Sequence, residues 1–297
     1  MKWGIIVANH LFYIVDVFSQ GKYTGNQLAV FVNASSMSDL DMQQIAAEIN
    51  YSETAFILSS QENNGGYDVR IFTPTEEIPF AGHPTLGAAF VLREEVLKRK
   101  TNLLKLNLKA GQIPVTYIDD VFWMRQNSPT FGQVLNVTQI ADVLSLPTDA
   151  IDDKFPIQEV STGLPVIVVP LRNLCAVQSV KINKDRYFDL ISGTEAKEML
   201  VFSQETYHTE NDLNVRAFTE YYGIPEDAAT GSSNGCLAAC LVHHKYFGSD
   251  TIDLRSEQGY EIQRPSLLYL KASKTGTDYN VLVGGEVEMI ARGEWEV

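Results

Sequence analysis

Hydrophobic and polar positions along the chain follow mainly the spacing of β-strands, interrupted by a few helical segments. Short apolar runs bounded by turn residues predict strands along most of the chain. The predicted strands cover residues 12–18, 28–32, 54–58, 67–72, 102–109, 113–118, 121–126, 157–161, 165–170 and 213–218, followed by a strand-and-turn tail over 251–297. Capping residues at Ser38-Asp39 predict one amphipathic helix, residues 137–144 predict another, and 182–197 reads as a polar stretch.

Two further segments are apolar on every side, which indicates helices buried in a core. One follows Gly82-His83-Pro84, and the other runs from Ser233 to His243. Pro84 suits the first turn of a helix because its missing N–H would have been unpaired there, so we place His83 at the cap position. The free backbone N–H groups of such a first turn favour a bound anion.

An internal repeat connects these two buried helices. Val69-Arg70-Ile71-Phe72-Thr73 returns as Val215-Arg216-Ala217-Phe218-Thr219, and Ile78-Pro79 returns as Ile224-Pro225, all at one offset of 146 residues. Compared with the first copy, the second copy has three extra residues between its Ile-Pro pair and the helix that follows. We predict two similar lobes whose helix N-termini point into one cleft, where a ligand would bind. Duplication that serves folding alone is the alternative.

The predicted fold class is α+β, with two pseudo-symmetric lobes. Each lobe is a curved, mostly antiparallel sheet or open barrel wrapped around a central helix. The first lobe is expected over residues 1–127, with its helix from about residue 84. The second is expected over 128–284, with its helix from about residue 233, and residues near 285–297 could return to the first lobe.

The amino-acid composition excludes some classes of binding partner. A hydrophobic content of 45% and a charged content of 20% are those of a soluble globular protein. The net charge of −14 argues against nucleic acid and against anionic membrane surfaces. The first ten residues are too short and too interrupted for a signal peptide or a membrane span, and three cysteines do not make a disulfide framework. We therefore expect a cytoplasmic protein.

No metal or nucleotide cofactor is implied by the motifs. Cys236 and Cys240 lie four residues apart in an apolar run without nearby His or carboxylate ligands, which favours buried packing over metal binding. The chain has no zinc pattern, no Walker loop and no strand–G-x-G-x-x-G–helix unit.

Four side chains near the helix ends are candidates for chemistry. Glu53 precedes an apolar strand, where a carboxylate half-withdrawn from water could take and return a proton, although a solvated charge is the ordinary role there. His83 could donate to a substrate carboxylate or shuttle a proton. Asp227 could orient a cationic or hydroxyl group, or only favour the helix dipole. Ser232 could bind a carboxylate or only cap the helix.

A match to the hydrolase nucleophile elbow, G-x-S-x-G, occurs at Gly231-Ser232-Ser233-Asn234-Gly235. An elbow requires a strand directly before it, whereas the polar segment 220–230 precedes this match. No histidine follows His244, so the triad order also fails. We interpret the match as accidental.

Four motifs together resemble the PhzF family of phenazine-biosynthesis-like isomerases. They occur in family order and are Gly25-Asn26-Gln27-Leu28-Ala29-Val30-Phe31, Ser52-Glu53-Thr54-Ala55-Phe56, Phe80-Ala81-Gly82-His83-Pro84-Thr85-Leu86-Gly87 and Asp227-Ala228-Ala229-Thr230-Gly231-Ser232. The resemblance implies the diaminopimelate epimerase fold, in agreement with the repeat. It also implies cofactor-free isomerisation, which in the phenazine enzymes moves a hydrogen between ring carbons of trans-2,3-dihydro-3-hydroxyanthranilate.

By the same resemblance, the catalytic glutamate falls on Glu53, and the substrate-contacting His, Asp and Ser fall on His83, Asp227 and Ser232. Gly231 joins the substrate-binding set, because the helix end at Gly231-Ser232 would hold the anion. The chain departs from the family where prolines are common, at Gln27 and Ala228, and neither change removes a reacting group. The family is broad, so the substrate does not carry over with the fold.

Related epimerases and racemases use two cysteines, one at each helix mouth, where this chain has Ala81 and Ala228 or Ala229. Two-thiol racemisation is therefore not expected. We expect a cofactor-independent isomerase of a small carboxylate, with Glu53 as general acid/base. The alternative is a non-catalytic small-molecule-binding or interaction protein on the same fold. A homodimer, as in the phenazine enzymes, is compatible with the resemblance.

Overall fold

A computed structural model describes residues 9–297, so the expectation drawn from the first ten residues lies mostly outside the described part. The strands over this range are β1 Asn9–Val17, β2 Asn26–Val32, β3 Thr54–Ile57, β4 Tyr67–Phe72, β5 Glu77–Ile78, β6 Leu103–Leu108, β7 Gly111–Ile118, β8 Val121–Arg125, β9 Thr130–Val134, β10 Gln158–Ser161, β11 Pro165–Pro170, β12 Glu198–Ser203, β13 Leu213–Thr219, β14 Ile224–Asp227, β15 Thr251–Gln258, β16 Ser266–Thr275, β17 Asp278–Gly285 and β18 Val287–Glu296. The α-helices are α1 Asp39–Ile49, α2 Gly82–Val91, α3 Val137–Leu144, α4 Leu174–Ser179, α5 Lys184–Ile191 and α6 Gly231–His243. None of these helices is both long and apolar enough to cross a membrane.

The chain divides into two compact units. The first comprises the chain up to Tyr23, Gln27–Met124 and Glu286–Val297, and the second comprises Thr24–Asn26 and Arg125–Gly285. The three residues of Thr24–Asn26 thus leave the unit that surrounds them in sequence and join the other one. Nothing in the hydrophobic pattern signals this exchange.

The first unit is built on one sheet. β1 pairs with β2 and, antiparallel, with β18; β2 runs parallel to β3; and β3 is antiparallel to β4. β4 then runs parallel to β6, with the short β5 also paired to β4, and β6, β7 and β8 continue antiparallel. Helix α2 contacts β1, β3, β6, β7 and β18, so the sheet curves around it. Helix α1 packs on the other face of the sheet, against the aromatic side chains of β2–β4.

The second unit repeats these pairings in the same order. β9, β10 and β11 are antiparallel, β11 runs parallel to β12, and β12 is antiparallel to β13. β13 runs parallel to β15, with β14 also paired to β13, and β15, β16 and β17 continue antiparallel around α6. Helices α3, α4 and α5 cover the outer face. The predicted fold class, two similar curved sheets each around a buried helix, is confirmed.

The repeated sequence occupies matching strands, with one correction. Arg70 and Arg216 lie at equivalent positions of β4 and β13, as the repeat predicts. Glu77, which pairs opposite Phe72, accepts a hydrogen bond from Arg70. The residue that bonds Arg216 in the same way is Glu226, which does not lie at the 146-residue offset from Glu77. The three extra residues therefore lie between Thr219 and Glu226, and the second Ile-Pro pair is not in structural register with the first.

Both central helices begin earlier than expected. Helix α2 starts at Gly82 with Ala81 as its N-cap, so the prediction that His83 occupies the cap is wrong, and His83 is the second helical residue. Pro84 is tolerated at the third position because none of the first four N–H groups has an intrahelical partner. Helix α6 likewise starts at Gly231 rather than near residue 233, with Thr230 as its N-cap.

Close packing explains the glycine in the middle of α2. A Cβ atom added to Gly87 would lie 2.5 Å from Leu28 Cδ2 and 3.1 Å from Val17 Cγ2, well inside contact distance. The helix axis can therefore approach β1 and β2 only because position 87 has no side chain.

The sequence predicted the start of a helix best where capping residues were present. Ser38 caps α1, as predicted, and the structure shows that it also forms a capping box with Asp41. The segment 182–197 is polar, as predicted, but the pattern did not reveal helix α5 within it, because only Tyr187 and Ile191 of the eight helical residues are buried. Two apolar positions in a mainly charged segment are too few to reveal a helical period.

Candidate active site

In the first unit, Glu53 and His83 meet at the N-terminal end of α2. Glu53 directly precedes β3, which contacts α2, and His83 is the second residue of that helix. Glu53 Oε2 lies 3.4 Å from His83 Nε2. The side chains of Glu53 and His83 are 17% and 6% exposed, so the imidazole is buried and the Glu53 side chain is partly accessible, with Oε2, the oxygen nearest His83, buried.

This pair is suited to proton transfer beside an anion. A partly buried carboxylate in contact with an imidazole can take a proton from a substrate carbon and return it. The backbone N–H groups in the first turn of α2 lack helical partners and carry the positive end of the helix dipole, which favours a bound carboxylate. The sequence places Glu53 among the side chains near the helix ends, and the structure shows that His83, 30 residues away in sequence, is the residue it contacts.

In the second unit, Asp227 is held in one orientation by hydrogen bonds. It ends β14, and its Oδ1 accepts a hydrogen bond from Asn26 Nδ2 at 2.8 Å. Its Oδ2 accepts one from the Thr230 hydroxyl at 2.5 Å. Each carboxylate oxygen has a second lone pair, so Asp227 can still accept a hydrogen bond from a substrate amine or hydroxyl.

Asp227 is followed closely by the first turn of α6. Gly231 is buried at the first helical position, and Ser232, the second residue, is partly exposed. Thr230 is the N-cap, so the alternative in which Ser232 only caps the helix is wrong. The Ser232 hydroxyl and the unpaired N–H groups of this turn form a neutral donor set of the kind that binds a carboxylate.

Two residues outside the helix that were not predicted, Asn26 and Gln258, hold this turn in place. Asn26 Nδ2 also donates to the Ala229 carbonyl at 3.1 Å. Gln258 donates to the Asp227 carbonyl at 2.9 Å and accepts from the Thr230 N–H at 3.2 Å and from Asn234 at 2.8 Å. The only sequence signal was the Gly25-Asn26 motif, since Gln258 lies in an unremarked stretch of strand.

Ser233, the residue after Ser232 in the first turn of α6, also carries a hydroxyl, but its side chain faces the interior. It is 1% exposed, and its Oγ donates to Glu198 Oε2 at 2.6 Å. β14 ends only three residues before α6, so the expectation of a purely polar segment ahead of the G-x-S-x-G match was wrong. The burial of Ser233 still removes it from contact with a substrate, which argues against a nucleophilic role.

The buried cysteines have no thiolate character. Burial raises the pKa of Cys236 to about 11 and that of Cys240 to about 12, so both thiols stay protonated near neutral pH. Within residues 9–297 the structure places no group of three or more His, Cys, Asp or Glu side chains where they could hold a metal ion together.

Comparison with protein families and curated proteins gives consistent matches. The model of the family described as phenazine biosynthesis-like protein, PhzC-PhzF, matches residues 15–293. The chain is 31% identical to trans-2,3-dihydro-3-hydroxyanthranilate isomerase of Pseudomonas aeruginosa over 294 residues, covering 96% of this chain and 98% of that protein. It is 32% identical to an uncharacterised isomerase of Pasteurella multocida, covering 97% and 95%.

Solved structures with the same fold include members of the same family. A PhzF-family phenazine biosynthesis protein of Bacillus anthracis superposes with a TM-score of 0.90 at 24% identity, covering 98% of this chain and all of that one. A predicted epimerase of Pseudomonas aeruginosa gives 0.78 at 28% identity, covering 96% and 99%. A hydroxyproline epimerase of Agrobacterium vitis gives 0.61 at 9% identity, covering all of this chain and 94% of that one, which is a likeness of fold alone.

Proposed function

Because the chain belongs to the PhzC-PhzF family of phenazine biosynthesis-like proteins, we propose that it is a cofactor-independent isomerase that moves a proton within a small carboxylate substrate. The observation that carries this proposal is the contact between Glu53 and His83 at the N-terminal end of α2. It pairs a carboxylate, able to shuttle a proton, with a helix end able to stabilise negative charge.

Glu53 is assigned the role of general acid/base. It removes a proton from a carbon of the substrate and becomes a carboxylic acid, whose acidic hydrogen can exchange with water. The same carboxyl then delivers a proton to another carbon, so the step is redox-neutral and needs no cofactor. His83 donates to the substrate carboxylate or to the charge that develops when the carbon is deprotonated. A single acid/base residue would act on one face of the substrate.

The second unit is assigned to substrate binding. The first turn of α6, through Gly231 and Ser232, supplies donors for an anion, and Asp227 accepts from an amine or hydroxyl. A neutral donor set beside a fixed carboxylate is complementary to an amino or hydroxy acid. The first substrate to test is trans-2,3-dihydro-3-hydroxyanthranilate, which the Pseudomonas aeruginosa relative is named for.

Hydrogen exchange with solvent tests the proposal. The wild-type protein, incubated with trans-2,3-dihydro-3-hydroxyanthranilate in deuterated buffer, should convert it and incorporate deuterium at carbon. E53Q should lower the rate by at least about 100-fold, since general acid/base groups contribute that much or more. E48Q, which changes an exposed glutamate of α1, is the matched control and should behave like the wild type.

The outcome also decides between an enzyme and a binding protein. A protein that only binds would raise its melting temperature with this ligand without exchanging deuterium. Full activity of E53Q would contradict the role given to Glu53.

A further inference from the structure

The duplicated topology places a second glutamate at the position of Glu53. Thr54 pairs opposite Phe72 in the first unit, and Met199 pairs opposite the equivalent Phe218 in the second. Glu53 and Glu198 each precede that residue by one position. β2 and β11 also lie parallel to β3 and β12 at matching registers, with Ala29 beside Thr54 and Ile167 beside Met199.

The surroundings of Glu198 repeat those of Glu53 with different chemistry. Glu53 contacts the second residue of α2, His83, whereas Glu198 accepts a hydrogen bond from the third residue of α6, Ser233. Glu198 is 7% exposed and so is more deeply buried than Glu53. Thus each central helix has a carboxyl group against its first turn, and the one in the second unit is the more deeply buried.

Burial has a definite electrostatic effect on this carboxyl. Desolvation raises the pKa of Glu198 to about 7; the hydrogen bond from Ser233 opposes the rise, and the negative charge of Asp227 adds to it. The other titratable groups whose charges interact with Glu198 are the Cys236 thiol and the Tyr187 phenol, and burial raises the pKa of each to about 11 and about 12. Asp227 is therefore the charged group that acts on Glu198 near neutral pH.

We propose that Glu198 is a positioning residue for the substrate-binding turn of α6. Its neutral carboxylic acid, hydrogen-bonded to Ser233, keeps that turn able to bind an anion, and ionisation of Glu198 weakens anion binding there. The proposal rests on the assignment of Gly231 and Ser232 to substrate binding. Glu198 itself touches no substrate in this scheme, because Ser233 lies between it and the helix end.

The physical reason is charge balance at the helix end. The N-terminus of α6 offers about half a positive charge, and Asp227 already places one negative charge beside it. A neutral Glu198 leaves this balance favourable to a substrate carboxylate. An ionised Glu198 adds a second negative charge in a poorly solvated place, where repulsion between like charges is strong.

Binding of anthranilate, an aromatic amino acid whose carboxylate stays ionised from pH 6 to pH 8.5, tests the proposal by calorimetry. For the wild type we expect the Kd to rise about tenfold between these pH values, with its midpoint near the pKa of Glu198. E198Q, which keeps the shape and the acceptor for Ser233 but cannot ionise, should hold a nearly constant Kd. E159Q, a buried glutamate of β10 bonded to the Ala196 N–H, is the matched control and should keep the wild-type pH dependence.

A second variant keeps the test independent of the folding of E198Q. Because the Ser233 hydrogen bond lowers the pKa of Glu198, S233A should move the midpoint of the Kd change to higher pH. An unchanged midpoint in S233A, or a wild-type pH dependence in E198Q, would overturn the proposal.

The experiments distinguish failure of the isomerase proposal from failure of the Glu198 proposal. If the wild type exchanges deuterium but E198Q binds with unaltered pH dependence, the isomerase stands and the role of Glu198 falls. If the wild type shows the pH-dependent binding, lost in E198Q, without any exchange, the role of Glu198 stands and the isomerase falls. Absence of anthranilate binding at both pH values would overturn the binding role of α6 and the role of Glu198 with it.

Discussion

Arg216 and Glu226 form a bidentate ion pair, with Nε 2.9 Å from Oε1 and Nη2 2.7 Å from Oε2. The first unit contains the same pair between Arg70 and Glu77, at 2.8 and 2.9 Å. In each unit the guanidinium also lies over a phenylalanine ring, at 4.9 Å from Phe218 and 5.0 Å from Phe72. Both units therefore keep the same contact among an arginine, a glutamate and a phenylalanine. It holds the short strand that precedes the central helix, β5 in the first unit and β14 in the second.

The two pairs should differ in their effect on stability. The side chains of Arg216 and Glu226 are 9% and 8% exposed, against 24% and 23% for Arg70 and Glu77. E226A removes the bidentate partner of a buried guanidinium, which keeps its bonds to the Val177 and Val180 carbonyls and the more distant Glu261 carboxylate at 3.9 Å, and should lower the free energy of unfolding by about 3 kcal/mol. E77A should cost only about 1 kcal/mol, because water reaches this partly exposed pair and Arg70 keeps its ion pair with Asp39 at 2.6 Å.

Urea denaturation measures both costs. D153A, which removes the exposed partner of Arg172, should leave the midpoint unchanged and serves as the control. Equal losses for E226A and E77A would contradict the argument from burial.

Glu198 makes stability depend on pH in a defined direction. Its pKa is raised from 4.5 to about 7, so the native state holds this proton more tightly than the unfolded chain does. The resulting stabilisation is complete below about pH 4.5 and is lost as the pH rises to about 7, a difference of a few kcal/mol. E198Q removes this loss and should be more stable than the wild type at pH 8, where thermal unfolding compares the two.

The same comparison at pH 4.5 is the control, because the wild-type carboxyl is protonated there and resembles the amide. A variant destabilised equally at both pH values would show that the amide does not fit, and would contradict the electrostatic reading.

Gly87 should tolerate no side chain. G87A places its Cβ within 2.5 Å of Cδ2 of the buried Leu28, so the Leu28 side chain, the helix or the sheet must shift, at about 1–3 kcal/mol. G193A is the matched control, since the nearest atom to a Cβ there is the Leu190 carbonyl oxygen at 3.8 Å. Chemical denaturation should separate the two variants, and a G87A protein as stable as the wild type would contradict the close packing of α2.

Asn26 should matter to activity through Asp227. N26D keeps the size of the side chain but replaces the donor to Asp227 Oδ1 with an acceptor, so two carboxylates then face each other. We expect kcat/KM to fall about 100-fold in N26D and about 10-fold in N26A, because a misplaced binding group costs alignment. N280A, at an exposed position of β17, is the control, and equal activity of N26D and N26A would contradict a charge effect.

The sequence by itself determined most of the elements and the duplication, although it did not reveal β9, α4, α5 or β12. Capping at Ser38, the turn residues between strands and the two all-apolar helices are local signals, and each predicts an element that the structure contains. The repeated Arg and Phe positions revealed two related units because a buried ion pair with a stacked ring restricts which residues can occupy those places. Candidate residues at the helix ends followed from the same local reasoning.

Only the tertiary structure decided which of these residues meet. Glu53 and Glu198 are equivalent through strand register, and their neighbours in sequence, Ser52 and Thr54 against Lys197 and Met199, do not resemble one another. Asn26 reaches Asp227 across 201 residues of chain. Hydrophobic periodicity reports how one segment is buried, whereas the register between distant strands and the closing of polar contacts depend on the packing of the whole unit.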